Sequence, residues 1–79
     1  MADFQGRAII VTGATGGFGQ AAVRHFAEAG AKLVISDLAS GRLDTLAKEL
    51  GGQAVAVSGD ISDPELSERL VEKALSEFG

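Results

Sequence analysis

The 79-residue chain has no cysteine and no tyrosine, only one proline, and no apolar run near the length of a membrane span. Each absence closes a class of function. Without cysteine there is no disulfide framework, no thiolate metal site and no cysteine nucleophile. Without tyrosine there is no phenol to exchange a proton with a substrate. A helix that crosses a bilayer needs about 20 consecutive apolar residues, and nothing here approaches that. Positive charge is also scarce: seven Lys and Arg stand against eleven Asp and Glu, for a net charge of −4. The acids are scattered and no basic patch recommends a nucleic-acid surface. Met1-Ala2-Asp3-Phe4-Gln5 carries neither a positive n-region nor an apolar h-region, so no secretory signal is expected. These features set the expectation of a soluble, cytoplasmic protein. Its length suits one small domain or a piece of a larger one, and domains near this size bury only roughly 60% of their unfolded surface.

What the chain does have is glycine in one place. Thr12-Gly13-Ala14-Thr15-Gly16-Gly17-Phe18-Gly19 follows directly on the apolar run Arg7-Ala8-Ile9-Ile10-Val11. A strand that stops in a glycine-dense turn and reopens as a helix builds a phosphate cradle. Glycine takes positive φ and lets the main chain approach a ligand where a Cβ would obstruct it. The N–H groups of the helix that follows then point at the anion, with the helix dipole adding to the attraction. A dinucleotide pyrophosphate is the anion this arrangement suits. A P-loop is excluded, because Gln20 rather than lysine follows Gly19.

Short β-rich runs alternate with helical stretches along the rest of the chain. Residues 7–11 read as a buried strand, and Gly17 to about Ala29 as a helix whose face carries Ala21, Ala22, Val23, Phe26 and Ala29. Gly30 is placed to be its C′ residue. Lys32 to Ser36 reads as a second strand ending at Asp37. Leu43, Leu46, Ala47 and Leu50, at i, i+3, i+4 and i+7, form one face of a second helix that stops at Gly51-Gly52. Gln53 to Val57 is a third, shorter strand. A third helix follows, with Asp63 as N-cap and Pro64 at its first position, or with Ser62 and Glu65 as a capping box. Leu66, Leu70, Val71, Ala74, Leu75 and Phe78 are its apolar stripe; its charged residues form a solvated face, with pairs such as Glu65 and Arg69.

This β-α-β-α-β-α order predicts a parallel α/β sheet with right-handed crossovers, Rossmann-like and doubly wound. The strands are expected in the order 3-2-1, with the first two helices on one face and the third on the other. Residues 1–79 then form a partial dinucleotide-binding domain, and a fourth strand would come next. Asp37 lies eighteen residues past Gly19, at the end of the second strand. A carboxylate there accepts from both hydroxyls of an adenosine ribose and repels a 2′-phosphate, which favours NAD over NADP. The next residue is Leu38 rather than a phosphate-binding arginine, and Arg42, the nearest cation, lies a turn further on. A methyl-donor nucleotide site places an acid at the same point and stays open.

These residues resemble the short-chain dehydrogenase/reductase family along the full chain. Thr12, Gly13, Gly17 and Gly19 match its Thr-Gly-x-x-x-Gly-x-Gly cofactor motif; Gly13, Gly16 and Gly19 also fit the Thr-Gly-x-x-Gly-x-x-Gly form of the epimerase-like branch. The closing Glu77-Phe78-Gly79, after Ser62-Asp63-Pro64, is more similar to the single-domain dehydrogenase branch. The resemblance implies an NAD-binding half of an alcohol or carbonyl oxidoreductase. It implies that Asp60 and Ile61 border the adenine, Asp60 by its carboxylate; Asp60 can equally be a turn aspartate. Phe18 reads as a core anchor, while the family's apolar residue there lends its N–H to the cofactor. The candidate cofactor contacts are Gly13, Thr15, Gly16, Gly17, Phe18, Gly19, Asp37, Leu38, Asp60 and Ile61, with no catalytic residue and no metal ligand. The family's catalytic serine and Tyr-x-x-x-Lys pair have no counterpart here, so turnover by these residues alone is not expected. His25, mid-helix, reads as a surface or packing residue. The alternative is a non-catalytic nucleotide-binding module whose exposed strand 7–11 drives homo-oligomerisation, unless a C-terminal half covers it.

Overall fold

The computed structural model describes residues 4–38 and 41–79; residues 1–3, part of the segment read above for a leader, lie outside it. Three strands, β1 (Ala8–Thr12), β2 (Lys32–Asp37) and β3 (Ala54–Ser58), alternate with helices α1 (Gly17–Glu28), α2 (Gly41–Glu49) and α3 (Pro64–Phe78). All pairing is parallel, with β2 between β1 and β3, which is the 3-2-1 order expected. The central strand explains its own sequence: Leu33, Val34, Ile35 and Ser36 are buried on both faces, so the run is continuous rather than alternating.

The two faces carry different helices. Leu33 and Ile35 pack with Val23 of α1 and with Leu43 and Leu46 of α2. On the opposite face Val34 packs with Leu66 and Leu70 of α3, flanked by Val55, Val57, Ala74 and Phe78. The expected split of helices between faces is what the chain adopts.

Local chemistry sets the ends of these elements. At the end of α1, Gly30 has φ +91°, its N–H bonds Ala27 and the Ala31 N–H bonds Phe26, closing the last turn in a Schellman motif. Phe4 lies edge-on to Phe26 at 5.1 Å and pins the chain's entry against that helix end. The Asp63 carboxylate accepts from the Glu65 N–H at 2.9 Å with Pro64 next in line, so Asp63 is the cap and no Ser62–Glu65 box forms.

Five expectations are corrected. β1 and β3 each begin and end one residue later than read; at β3 this is because Gln53 belongs to a short 3-10 turn (Gly51–Gln53) and its amide donates to the Ala27 and Ala31 carbonyls. Ala21 is exposed, on the outer side of α1. Val71 and Leu75 are exposed as well, so only part of the α3 stripe meets the sheet. Arg69 faces Asp63 at 3.9 Å rather than Glu65, and Lys73 pairs with Glu77 at 3.2 Å. Phe18 is no anchor: it is 96% exposed, because the second residue of α1 projects away from the sheet.

Candidate functional site

The carboxyl ends of the three strands meet at one cavity of about 310 Å³, lined by Thr12, Gly13, Ser36, Asp37, Leu38, Gly59, Asp60, Ile61 and Leu66. Backbone bonds beyond the regular ladder draw its walls together. The Ala14 N–H bonds the Ser36 carbonyl at 3.0 Å, and the Gly59 N–H bonds the Asp37 carbonyl at 2.9 Å. The glycine turn, the end of β2 and the loop after β3 therefore converge, which is where open α/β sheets bind ligands.

The turn is built by two different uses of glycine. Gly13 has φ +64°, and a Cβ built there meets nothing within 4 Å, so both its conformation and the space before it depend on the missing side chain. Gly19 is the opposite case. A Cβ there would run into the Gly13 carbonyl oxygen, so α1 can approach the turn only because residue 19 is glycine. The helix opens at Gly16 without a side-chain cap. Its first N–H groups, those of Gly17, Phe18 and Gly19, have no i−4 partner within the helix and no other acceptor among the described residues. Gln20 secures the loop from inside by donating its side-chain amide to the Thr15 carbonyl at 2.8 Å.

Asp37 is tied directly to that turn. One carboxylate oxygen, Oδ2, accepts from the Thr15 N–H at 2.9 Å and from the Thr15 hydroxyl at 2.6 Å. The other, Oδ1, accepts from the Leu38 N–H at 2.8 Å. Hydrogen bonds to the charged form favour it, and the Thr15 hydroxyl foremost, then the Thr15 and Leu38 amides, hold the Asp37 carboxyl below its ordinary value. Asp60 behaves as the turn reading required: its Oδ1 accepts from the Ser62 N–H at 2.9 Å and hydroxyl at 2.8 Å, which lowers its pKa. It nonetheless lines the cavity with Oδ2 uncommitted, beside the exposed side chains of Leu38 and Ile61. Arg42 lies elsewhere, lining a separate hollow with Arg24 and Glu49, which pair at 2.8 Å.

Thr12, Gly13, Asp37, Leu38, Asp60 and Ile61 thus share one cavity, with Thr15 bonded to its rim and Gly16 to Gly19 opening the adjoining helix. Thr12, Ser36, Gly59 and Leu66 line the cavity without having been among the candidate contacts. Ser36 is 1% exposed and its hydroxyl is the buried side-chain polar atom without a partner among the described residues. The available signal was a polar residue closing an otherwise apolar buried strand.

A family model described as short chain dehydrogenase matches residues 7–79. The chain belongs to the short-chain dehydrogenase family. It is 44% identical over 78 residues to a 1-deoxy-11-beta-hydroxypentalenate dehydrogenase of Streptomyces exfoliatus, a match covering 95% of this chain and 28% of that enzyme. Among solved structures it is similar to a 3-ketoacyl-(acyl-carrier-protein) reductase of Brucella melitensis complexed with NADH, with 41% identity and a TM-score of 0.87 over 95% of this chain and 31% of that one. A short-chain dehydrogenase/reductase of Burkholderia phymatum in complex with NAD matches at 34% identity and a TM-score of 0.90, over 100% of this chain and 29% of that one. The chain therefore spans under a third of the length of these short-chain dehydrogenases. No described helix is long and apolar enough to cross a membrane.

Proposed function

We propose that these residues are the dinucleotide-binding part of a short-chain alcohol or carbonyl oxidoreductase, and that the cofactor is NAD rather than NADP. The observation that carries this reading is the contact between Thr15 and Asp37, which brings the glycine turn and the β2 acid to the rim of one cavity. Each group then has one task. The free N–H groups of Gly17, Phe18 and Gly19 hold the pyrophosphate, with the open space before Gly13 admitting it. Asp37 accepts from the adenosine ribose. Leu38 and Ile61, which line the cavity, would border the adenine, and Asp60 would offer Oδ2 to its amine. When bound, the nicotinamide supplies the hydride chemistry; residues 1–79 contain no tyrosine to carry the accompanying proton. No alcohol oxidation is expected from this chain alone.

Thermal unfolding in the presence of candidate ligands tests the reading, since a ligand that binds only the folded form must raise the melting temperature. NAD should raise it in a concentration-dependent way and NADP much less. Gly13→Val should abolish the NAD shift, and Asp37→Ala should weaken it and narrow the gap to NADP. Stabilisation by S-adenosylmethionine but not NAD would favour a methyl-donor module instead.

A second reading rests on the free edge of β1. That strand pairs only with β2 among the described residues, Ile10 is 39% exposed, and Val71 and Leu75 stand uncovered on α3. Such an edge is a template for another strand, and self-association of two copies through β1 is the expected result. Light scattering that finds a folded monomer at high concentration would refute it.

A further inference from the structure

The bonds around Asp37 carry more than the position of an acid. An ionised carboxylate offers about four acceptor sites and no donor. Thr15 fills two on Oδ2, and Leu38 fills one on Oδ1. One site remains, on Oδ1. A ribose diol has two hydroxyls to place, so the carboxylate in this arrangement cannot accept both. The second acceptor has to come from elsewhere, and the geometry supplies it. The Thr15 hydroxyl has one proton, and at 2.6 Å from Oδ2 that proton is committed to Asp37. Its two lone pairs are left to accept.

The same bonds have an opposite consequence for a phosphorylated ribose. The Thr15 N–H, the Thr15 hydroxyl and the Leu38 N–H form a small anion cradle, and the Asp37 carboxylate already occupies it. A 2′-phosphate, which needs donors, meets a negative charge whose neighbouring donors are all spent.

We propose that Thr15 is a specificity-determining partner of Asp37: its hydroxyl accepts from one ribose hydroxyl while Asp37 Oδ1 accepts from the other, and Asp37 excludes a 2′-phosphate by occupying the donors of Thr15 and Leu38 as well as by its charge. This rests on the dinucleotide reading above. It differs from a site in which the acid alone discriminates, because it makes the role of Thr15 depend on whether Asp37 is present. With the acid in place, Thr15 is an acceptor for a hydroxyl. Without it, the hydroxyl and two amides are released together and become donors for a phosphate.

The test is a two-by-two comparison of the parent chain, Thr15→Val, Asp37→Ala and the double variant. Dissociation constants for ADP-ribose and 2′-phospho-ADP-ribose are measured by calorimetry, with circular dichroism confirming the fold of each protein. Thr15→Val should weaken ADP-ribose by ~3–10-fold, the net of one hydrogen bond, and Thr15→Ser should restore it. Asp37→Ala should bind the phosphorylated ligand at least about tenfold more tightly than the parent, since a charge-assisted bond is stronger than a neutral one. Adding Thr15→Val to Asp37→Ala should return ~3–10-fold of that gain. Thr15→Ala provides the same comparison should valine disturb the turn. The proposal is overturned if Thr15→Val binds ADP-ribose as the parent does, if Thr15→Ser fails to restore binding, or if the double variant binds the phosphorylated ligand as well as Asp37→Ala. A folded parent that binds neither ligand overturns the dinucleotide reading, and this assignment with it.

Discussion

The two faces of the sheet are made from the same three strands but are finished to different degrees. Towards α1 and α2, Ala14, Val23, Leu33, Ile35, Leu43, Leu46 and Ala54 form one buried cluster, with Ile9 and Val11 of β1 and Ala56 of β3 partly buried against it. Towards α3 the buried set is Val34, Leu66 and Leu70, while Ile10, Val71 and Leu75 remain partly or largely in solvent. Two helices cover the first face and one covers the second. Apolar periodicity therefore specifies which residues can be buried, whereas the number of neighbouring elements decides which of them are.

The largest effect should come from cutting into the closed face. Leu33→Ala removes a fully buried side chain and should cost about 2–5 kcal/mol in chemical denaturation, enough to unfold a marginal chain. Val71→Ala on the open face should stay within about 0.5 kcal/mol. Comparable losses from both would mean that the exposed stripe is covered in solution.

The glycine turn sharpens the same contrast at shorter range, because Gly19 is packed and Gly17 is open. Gly19→Ala sets a methyl against the Gly13 carbonyl and should destabilise by about 1–3 kcal/mol while displacing α1 from the turn. Gly17→Ala meets nothing within 4 Å and should leave the melting temperature within about 4 °C of the parent, ~0.5 kcal/mol at most. Equal losses would show that the turn adopts another conformation in solution.

The smallest effect is electrostatic. The Asp37 carboxyl is held below its unfolded-state pKa, so the Thr15–Asp37 bonds contribute fully above the ordinary carboxylate range and are lost as pH falls through the lowered value. Since Asp37 is partly solvated, the effect on stability is modest. A difference between the parent and Asp37→Asn should be constant above about pH 5 and shrink in more acidic solution. A difference that grew as the pH fell would contradict the Thr15–Asp37 bonds.

Much of this architecture was legible because its signals are local. The continuous run of β2 marked a strand buried on both sides, and Asp63-Pro64 marked the start of α3 through cap chemistry that involves neighbours only. The glycine pattern pointed to the turn, and Asp37 stood at the end of β2 in register for the acid. Phe18 was misread because hydrophobicity alone does not reveal on which side of a helix start a residue projects. Gln53 was misread because its amide is satisfied by carbonyls 22 and 26 residues away. Asp60 kept both of its readings, since its own turn occupies only one carboxylate oxygen.

The order of elements, the turn chemistry and the candidate ligand-binding residues followed from the sequence itself, because each depends on intervals of a few residues and on side-chain type. Tertiary structure alone decided that Thr15 is bonded to Asp37 and that Ser36 lines the cavity with an unpartnered hydroxyl, since hydrogen-bond partnership and orphaned polar atoms exist only once distant segments are brought together. It also decided how many acceptor sites on Asp37 remain for a ligand, because a carboxylate's capacity is divided among whatever donors the fold places around it.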